Sequence, residues 1–146
     1  MNESSQRALE YFSQGYVCSE AVFKAILESK GFDATPFLAM SSGFGSGMAR
    51  TDQGLCGAFS GGILALSYFL GRKEKSDALE PLYSTIQTFK KRFESHCGSC
   101  ECSTLLGFSL ASLDAGERFE KETCKACKCD RFVAYATKEV VDILGK

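Results

Sequence analysis

The chain has no tryptophan, a single histidine and only two prolines in 146 residues, and neither sign of charge is in excess, with 17 Lys and Arg against 18 Asp and Glu. Each shortage excludes something. A net charge of −1 leaves no electrostatic footprint for nucleic acid or for an anionic membrane surface. The short basic runs Arg72-Lys73-Glu74-Lys75 and Lys90-Lys91-Arg92 have acids close by and read as solvated helix faces. With His96 as the one histidine, a Ser/His/Asp set would have to centre there, and nothing marks its partners. Cys56 as a hydrolytic nucleophile would likewise lack a base. Long apolar runs are missing too. The longest, Leu55 to Leu70, holds three glycines and a serine among its first eight residues and falls short of the roughly 20 apolar residues a membrane span needs. The opening residues, Met1 to Arg7, are polar and lack the apolar region of a secretory signal. The expectation is a cytoplasmic protein with no membrane or nucleic-acid partner.

What is present is helical. No run alternates with period two, whereas apolar residues recur at helical spacing. A first helix is expected after Ser4 or Ser5, carrying Leu9 and Phe12 inward and ending near Gly15. A second runs from about Cys18 to Lys30 with Cys18, Ala21, Val22, Ala25 and Ile26 on one face, and Gly31 stops it. Thr35-Pro36 reads as a helix start, Thr as N-cap and Pro at the first position, the short helix ending in Gly43-Phe44-Gly45-Ser46-Gly47. The Leu55–Leu70 stretch is apolar nearly all round and is placed as the buried central helix. Gly57, Gly61 and Gly62 there cost roughly 1 kcal/mol each against Ala, so a close backbone approach is expected. A further helix spans about Asp77 to Phe93, with Leu82, Ile86, Phe89 and Phe93 inward and Pro81 in or near its first turn. The last follows Cys129 and buries Phe132, Val133, Ala136, Val140 and Ile143 or Leu144. Residues 1–146 are therefore expected to form one all-α domain, a bundle of five or six helices. A homo-oligomer remains open.

Cysteine is the residue in surplus, with eight: Cys18, Cys56, Cys97, Cys100, Cys102, Cys124, Cys127 and Cys129. In a reducing compartment such a count points to metal binding or redox chemistry rather than to staples, which a chain of this length does not need. Six of them fall in two identical CxxCxC patterns, Cys97-x-x-Cys100-x-Cys102 and Cys124-x-x-Cys127-x-Cys129. On a regular helix residues two apart point roughly 200° away from each other, so three such thiolates converge only where the backbone leaves the helix. Gly98-Ser99 allows that in the first segment. Four-cysteine sites serve both zinc and iron–sulfur clusters, and eight thiols could fill two of them. The competing chemistry is dithiol–disulfide exchange, favoured where a thiol sits at a helix N-terminus. Cys18, Cys56, Cys102 and Cys129 all fall at or near expected helix starts. His96, next to Cys97, is a candidate fourth ligand, although a histidine in a polar loop is more often simply solvated. No Cys-x-x-Cys-His occurs, which argues against attached haem. The Gly43-x-Gly45-x-Gly47 run lacks the preceding strand of a dinucleotide loop and reads as a turn beside Cys56. Arg50 after it could face a thiolate or an anion, its default being the surface.

Cys56-Gly57-Ala58-Phe59-Ser60-Gly61 carries a resemblance. The chain resembles a family of redox-active proteins recognised by a CGAxxG motif with separate single cysteines before and after it. Gly15 to Val22 is similar to that family's first cysteine block, and Ser42 to Met48 to its glycine-rich loop. Cys102-Ser103-Thr104-Leu105-Leu106-Gly107 is similar to its CxxLLG block, and Cys129 to Val133 to its last. The resemblance implies that Cys18, Cys56, Cys102 and Cys129 are the working set, with a redox role toward an unidentified partner. Cys97, Cys100, Cys124 and Cys127 are additions to that pattern. They are candidate ligands for a second metal site or an enlarged cluster pocket. The function expected is that of a redox protein using an iron–sulfur cluster or reactive dithiols, with a zinc or soft-metal binding module as the alternative.

Overall fold

A computed structural model describes residues 2–51 and 53–145. Five longer helices build the bundle: α1 (Glu3–Ser13), α2 (Cys18–Ser29), α4 (Gly57–Leu70), α5 (Glu80–Cys97) and α8 (Asp130–Leu144). Between them lie a 3₁₀ stretch (Leu38–Phe44), the turn α3 (Gly45–Arg50), two short helices α6 (Cys102–Leu106) and α7 (Ala115–Lys121), and a π-turn (Lys125–Cys129) that runs into α8. Among the described residues there is no strand. The all-α expectation holds, and no described helix is long and apolar enough to cross a membrane.

The apolar stretch does become the central helix. α4 packs most extensively on α2, and then on α8 and α5, while α1 covers α2 and α8. Its glycines make the close approach possible: a Cβ on Gly61 would lie 2.7 Å from the Ser19 carbonyl oxygen and 3.0 Å from Ser19 Cα. On the other side of α4, Phe59 stacks on Phe89 with ring centroids 5.1 Å apart, and Phe93 closes the same aromatic group. The inward faces read from α2, α5 and α8 are buried as expected, with Cys18, Ile86, Ile143 and Leu144 partly covered.

Several boundaries differ for local reasons. α1 begins at Glu3 because Asn2, not a serine, caps it, its Oδ1 accepting from the Ser5 amide at 2.8 Å. Thr35-Pro36 does not open an α-helix. The Asp33 carboxylate accepts the Thr35 amide at 3.0 Å, making a turn, and the chain then winds as 3₁₀ from Leu38. α5 starts a turn later than expected and continues to Cys97, where Gly98 at φ +103° ends it. The glycine-rich run leads into a left-handed turn: Ser46, Gly47, Met48, Ala49 and Arg50 all have φ between +56° and +64°. α6 opens at Cys102, where a helix start was expected, whereas α7 was not anticipated from the sequence.

Candidate functional site

Four segments bring four cysteines to one pocket. Cys18 is the first residue of α2, Cys56 immediately precedes α4, Cys102 opens α6, and Cys129 sits at the junction of the π-turn and α8. All four line a pocket of about 240 Å³. The rest of its wall is mostly apolar, including Phe12, Val17, Leu105, Leu106 and Phe132.

The backbone explains the meeting. Leu55 and Glu101 form an isolated antiparallel bridge. The Cys56 amide donates to the Cys100 carbonyl at 2.6 Å and the Cys102 amide to the Gly54 carbonyl at 2.9 Å. This clip ties the entry to α4 against the entry to α6, setting Cys56 and Cys102 side by side. Gly57 makes room for Cys18, since a Cβ there would lie 2.1 Å from Cys18 Sγ. Gly47, at φ +64°, lets the left-handed turn lie against Cys102, whose Cβ would be 2.8 Å from a Gly47 Cβ. The entry to α2 is fixed by Glu20, which accepts the Val17 amide at 2.9 Å and the Ser42 hydroxyl at 2.6 Å. At the rim Lys125 Nζ donates to the Phe12 carbonyl at 2.7 Å.

The electrostatics pull two ways. Burial pushes the Cys18 thiol up, while backbone amides of Ser46, Ser19, Cys18 itself and Gly57 favour its thiolate. Burial drives Cys56 well above the ordinary thiol range, the neighbouring Cys18 adds to that, and the Phe59 and Ala58 amides oppose it. Cys102 is pushed up to about 11 by burial and then by Cys18 and Cys124. Cys129 is raised by burial, then by Cys18, Cys102 and Cys124. At all four cysteines burial outweighs the neighbouring amides and favours the neutral thiol.

The two CxxCxC triads do not work as units. Each sends only its last cysteine to the pocket, because α5 stays helical to Cys97 and the second segment stays coiled as a π-turn. Cys97 and Cys100 lie near each other, raised by burial to about 11 and about 12. Cys124 is buried and Cys127 exposed. Among the described residues no three His, Cys, Asp or Glu side chains are gathered as a single bound ion requires. His96 stacks on Tyr135 with centroids 4.0 Å apart, and Arg50 is exposed. Sequence reasoning placed a turn beside Cys56 but missed its left-handed backbone and the Ser46 amide beside Cys18. The glycines at 45 and 47 were its only signal.

No curated protein and no solved structure matched the chain. The family pattern did match, over all four pocket cysteines and the bundle from α2 into α8. The chain belongs to the family described as "Putative redox-active protein (C_GCAxxG_C_C)", whose model matches residues 16–143.

Proposed function

We propose that the protein is an electron-transfer protein in which Cys18, Cys56, Cys102 and Cys129 hold an iron–sulfur cluster. The observation in its support is the convergence of four cysteines from four segments on one apolar pocket of about 240 Å³. A tetrahedral zinc with Zn–S near 2.3 Å would need its four sulfurs about 3.8 Å apart around a single point. A multi-atom group spanning a pocket between the thiols needs no such collapse, and a Cys₄ set is the usual ligand set of such clusters. Such a cluster supplies one-electron redox chemistry when bound.

The protein's own residues supply the environment. Burial opposes bare thiolates at Cys56, Cys102 and Cys129, so a cationic iron core that takes their protons' place relieves the cost. The Ser46 and Gly57 amides at Cys18, and those of Ala58 and Phe59 at Cys56, would be N–H···S donors, one of the levers that set cluster potential. Phe12, Leu105 and Phe132 limit water at the centre.

The test is iron and acid-labile sulfide analysis, with a visible spectrum, on protein purified without air. Iron and sulfide in similar amounts with broad visible absorbance are expected. Cys→Ser at any of the four pocket positions should abolish both, while Cys97→Ser and Cys100→Ser should retain them. Protein holding neither iron nor sulfide would overturn the cluster and leave dithiol exchange as the pocket's chemistry; stoichiometric zinc without sulfide would overturn it in favour of a metal-binding module.

A further inference from the structure

Cys124 and Cys127 stand outside both the pocket and the family's four cysteines, yet one of them touches the pocket's back wall. Cys124 is fully buried in a small cluster with Leu106, Phe108 and Ala115, and Cys102 and Cys129 pack against that same cluster. Cys127, three residues on, is exposed, its Sγ 3.0 Å from Thr123 Oγ1. One thiol thus faces solvent and the next adjoins two pocket thiols. We propose that Cys124 and Cys127 form an accessory dithiol that relays oxidation state between disulfides in solution and the pocket pair Cys102 and Cys129.

The backbone suits the task. The Cys127 amide donates to the Thr123 carbonyl at 2.9 Å, so the two cysteines lie about one turn apart. Cβ atoms three residues apart on a helix are roughly 5–6 Å from each other, and a disulfide wants about 3.5–4.5 Å. Closure therefore needs a shift of roughly 1–2 Å. It falls in an irregular part of the helical scaffold, which runs from Thr123 at φ +48° into the π-turn Lys125–Cys129 that contains Cys127. Such π-turns are frequent at functional sites.

The exchange balances without any bound group. The Cys127 thiolate attacks one sulfur of a small disulfide, forming a mixed disulfide and expelling one thiol. Cys124 loses its proton and attacks the Cys127 sulfur, expelling the second thiol and closing Cys124–Cys127. Cys102 then attacks the Cys124 sulfur, freeing Cys127, and Cys129 attacks the Cys102 sulfur, freeing Cys124. The external disulfide has become two thiols, two electrons and two protons have left the pocket pair, and the outer dithiol is restored. Run in reverse with an external dithiol, the same steps return oxidised pocket cysteines to the free thiols that a cluster would need. The relay rests on the pocket being the redox site and not on a cluster.

The test uses the full chain made in iron-poor medium, fully reduced and then exposed to oxidised glutathione, with timed samples alkylated and their disulfides mapped by peptide mass. Cys124–Cys127 should appear before Cys102–Cys129, and Cys127→Ser should slow the latter at least tenfold. Cys124→Ser should stall with glutathione on Cys127. Circular dichroism should show both variants folded, as expected at once for the exposed Cys127. Equal rates of Cys102–Cys129 formation in Cys127→Ser and the unaltered chain would overturn the relay. So would a Cys124 that stays reduced, or a Cys102 and Cys129 that never pair. Iron and sulfide content decides the cluster separately.

Discussion

Replacing Gly57 by Ala separates the pocket from the bundle that carries it. The new Cβ would lie 2.1 Å from Cys18 Sγ, 3.1 Å from Gly45 Cα and 3.2 Å from the Phe44 carbonyl oxygen. Carbon–sulfur contact is comfortable no closer than about 3.5 Å, so the sulfur must retreat by about 1.5 Å. The two backbone neighbours can give little. Ala gains up to about 1 kcal/mol over Gly in helix propensity. Overpacking costs about 1–3 kcal/mol, and moving the sulfur forfeits amide contacts worth about 1 kcal/mol. The net is a loss of about 1–3 kcal/mol, or about 3–10 °C in melting temperature for a chain this size. The fold should survive, but Cys18 should leave the ligand set of the proposed cluster. Thermal melts followed by circular dichroism should therefore show a modest drop, and iron and sulfide analysis a near-complete loss. A Gly57→Ala protein that melts with the unaltered chain and keeps its full iron would refute both the close approach and the place of Cys18 in the site.

Three further outcomes follow from the same packing and backbone geometry. Gly61→Ala, which meets the Ser19 backbone rather than a side chain, should lower the melting temperature by at least as much as Gly57→Ala, whereas Gly116→Ala, with nothing within 4 Å, should raise it by a few degrees; equal behaviour of the two would show that α2 and α4 are not packed backbone to backbone. The metal-free chain should lose stability on the alkaline side: Cys97 and Cys100, raised by burial to about 11 and about 12, keep their protons in the folded state after the unfolded chain has lost them near pH 9. Stability is then full below about pH 8.5 and falls as pH rises through 9 to 12, and urea titrations flat across that window would contradict it. Ala49→Gly, at an exposed residue with φ +62°, should stabilise by about 0.5–1 kcal/mol by relieving left-handed strain; a loss of stability in denaturant unfolding would mean the turn is not left-handed.

Much of the bundle was legible because it rests on short-range rules. Leu82, Phe89 and Phe93, or Phe132, Val133, Ala136 and Val140, mark one helix face each, and those faces are the buried ones. The central position of α4 followed from its lack of any polar face. The start of the 3₁₀ segment was not legible, because Thr35-Pro36 offers a sound cap and Asp33 wins the Thr35 amide only by being two residues away. The cysteine spacing misled in a more instructive way. Two identical CxxCxC patterns suggest two identical ligand sets, yet only the last cysteine of each lines the pocket: α5 holds Cys97 in helical backbone, and Cys124 packs behind the wall beside Leu106 and Phe108. The four cysteines of the resemblance, spread over more than a hundred residues, are the ones that meet, through the Leu55–Glu101 bridge and the glycines at 47 and 57. Long-range contacts of that kind leave no periodic trace in a sequence.

The left-handed turn shows what those glycines support. A left-handed residue with a side chain costs about 1–2 kcal/mol, so Ser46, Met48, Ala49 and Arg50 together carry several kcal/mol, a sizeable share of the 5–15 kcal/mol that holds a typical domain folded. Little of that is returned by the exposed side chains at 48, 49 and 50. Compensation comes from what the turn touches: Thr51 Oγ1 donating to the Met48 carbonyl at 2.9 Å, Gly47 seated on Cys102, and the Ser46 amide aimed at Cys18. Two of these three contacts are with pocket cysteines. An uncommitted loop between two helices would relax to ordinary backbone. Strain kept at this point is strain kept for the pocket, and filling the pocket with a group that pulls Cys18 and Cys102 toward one centre would tighten the contacts that hold the turn in place.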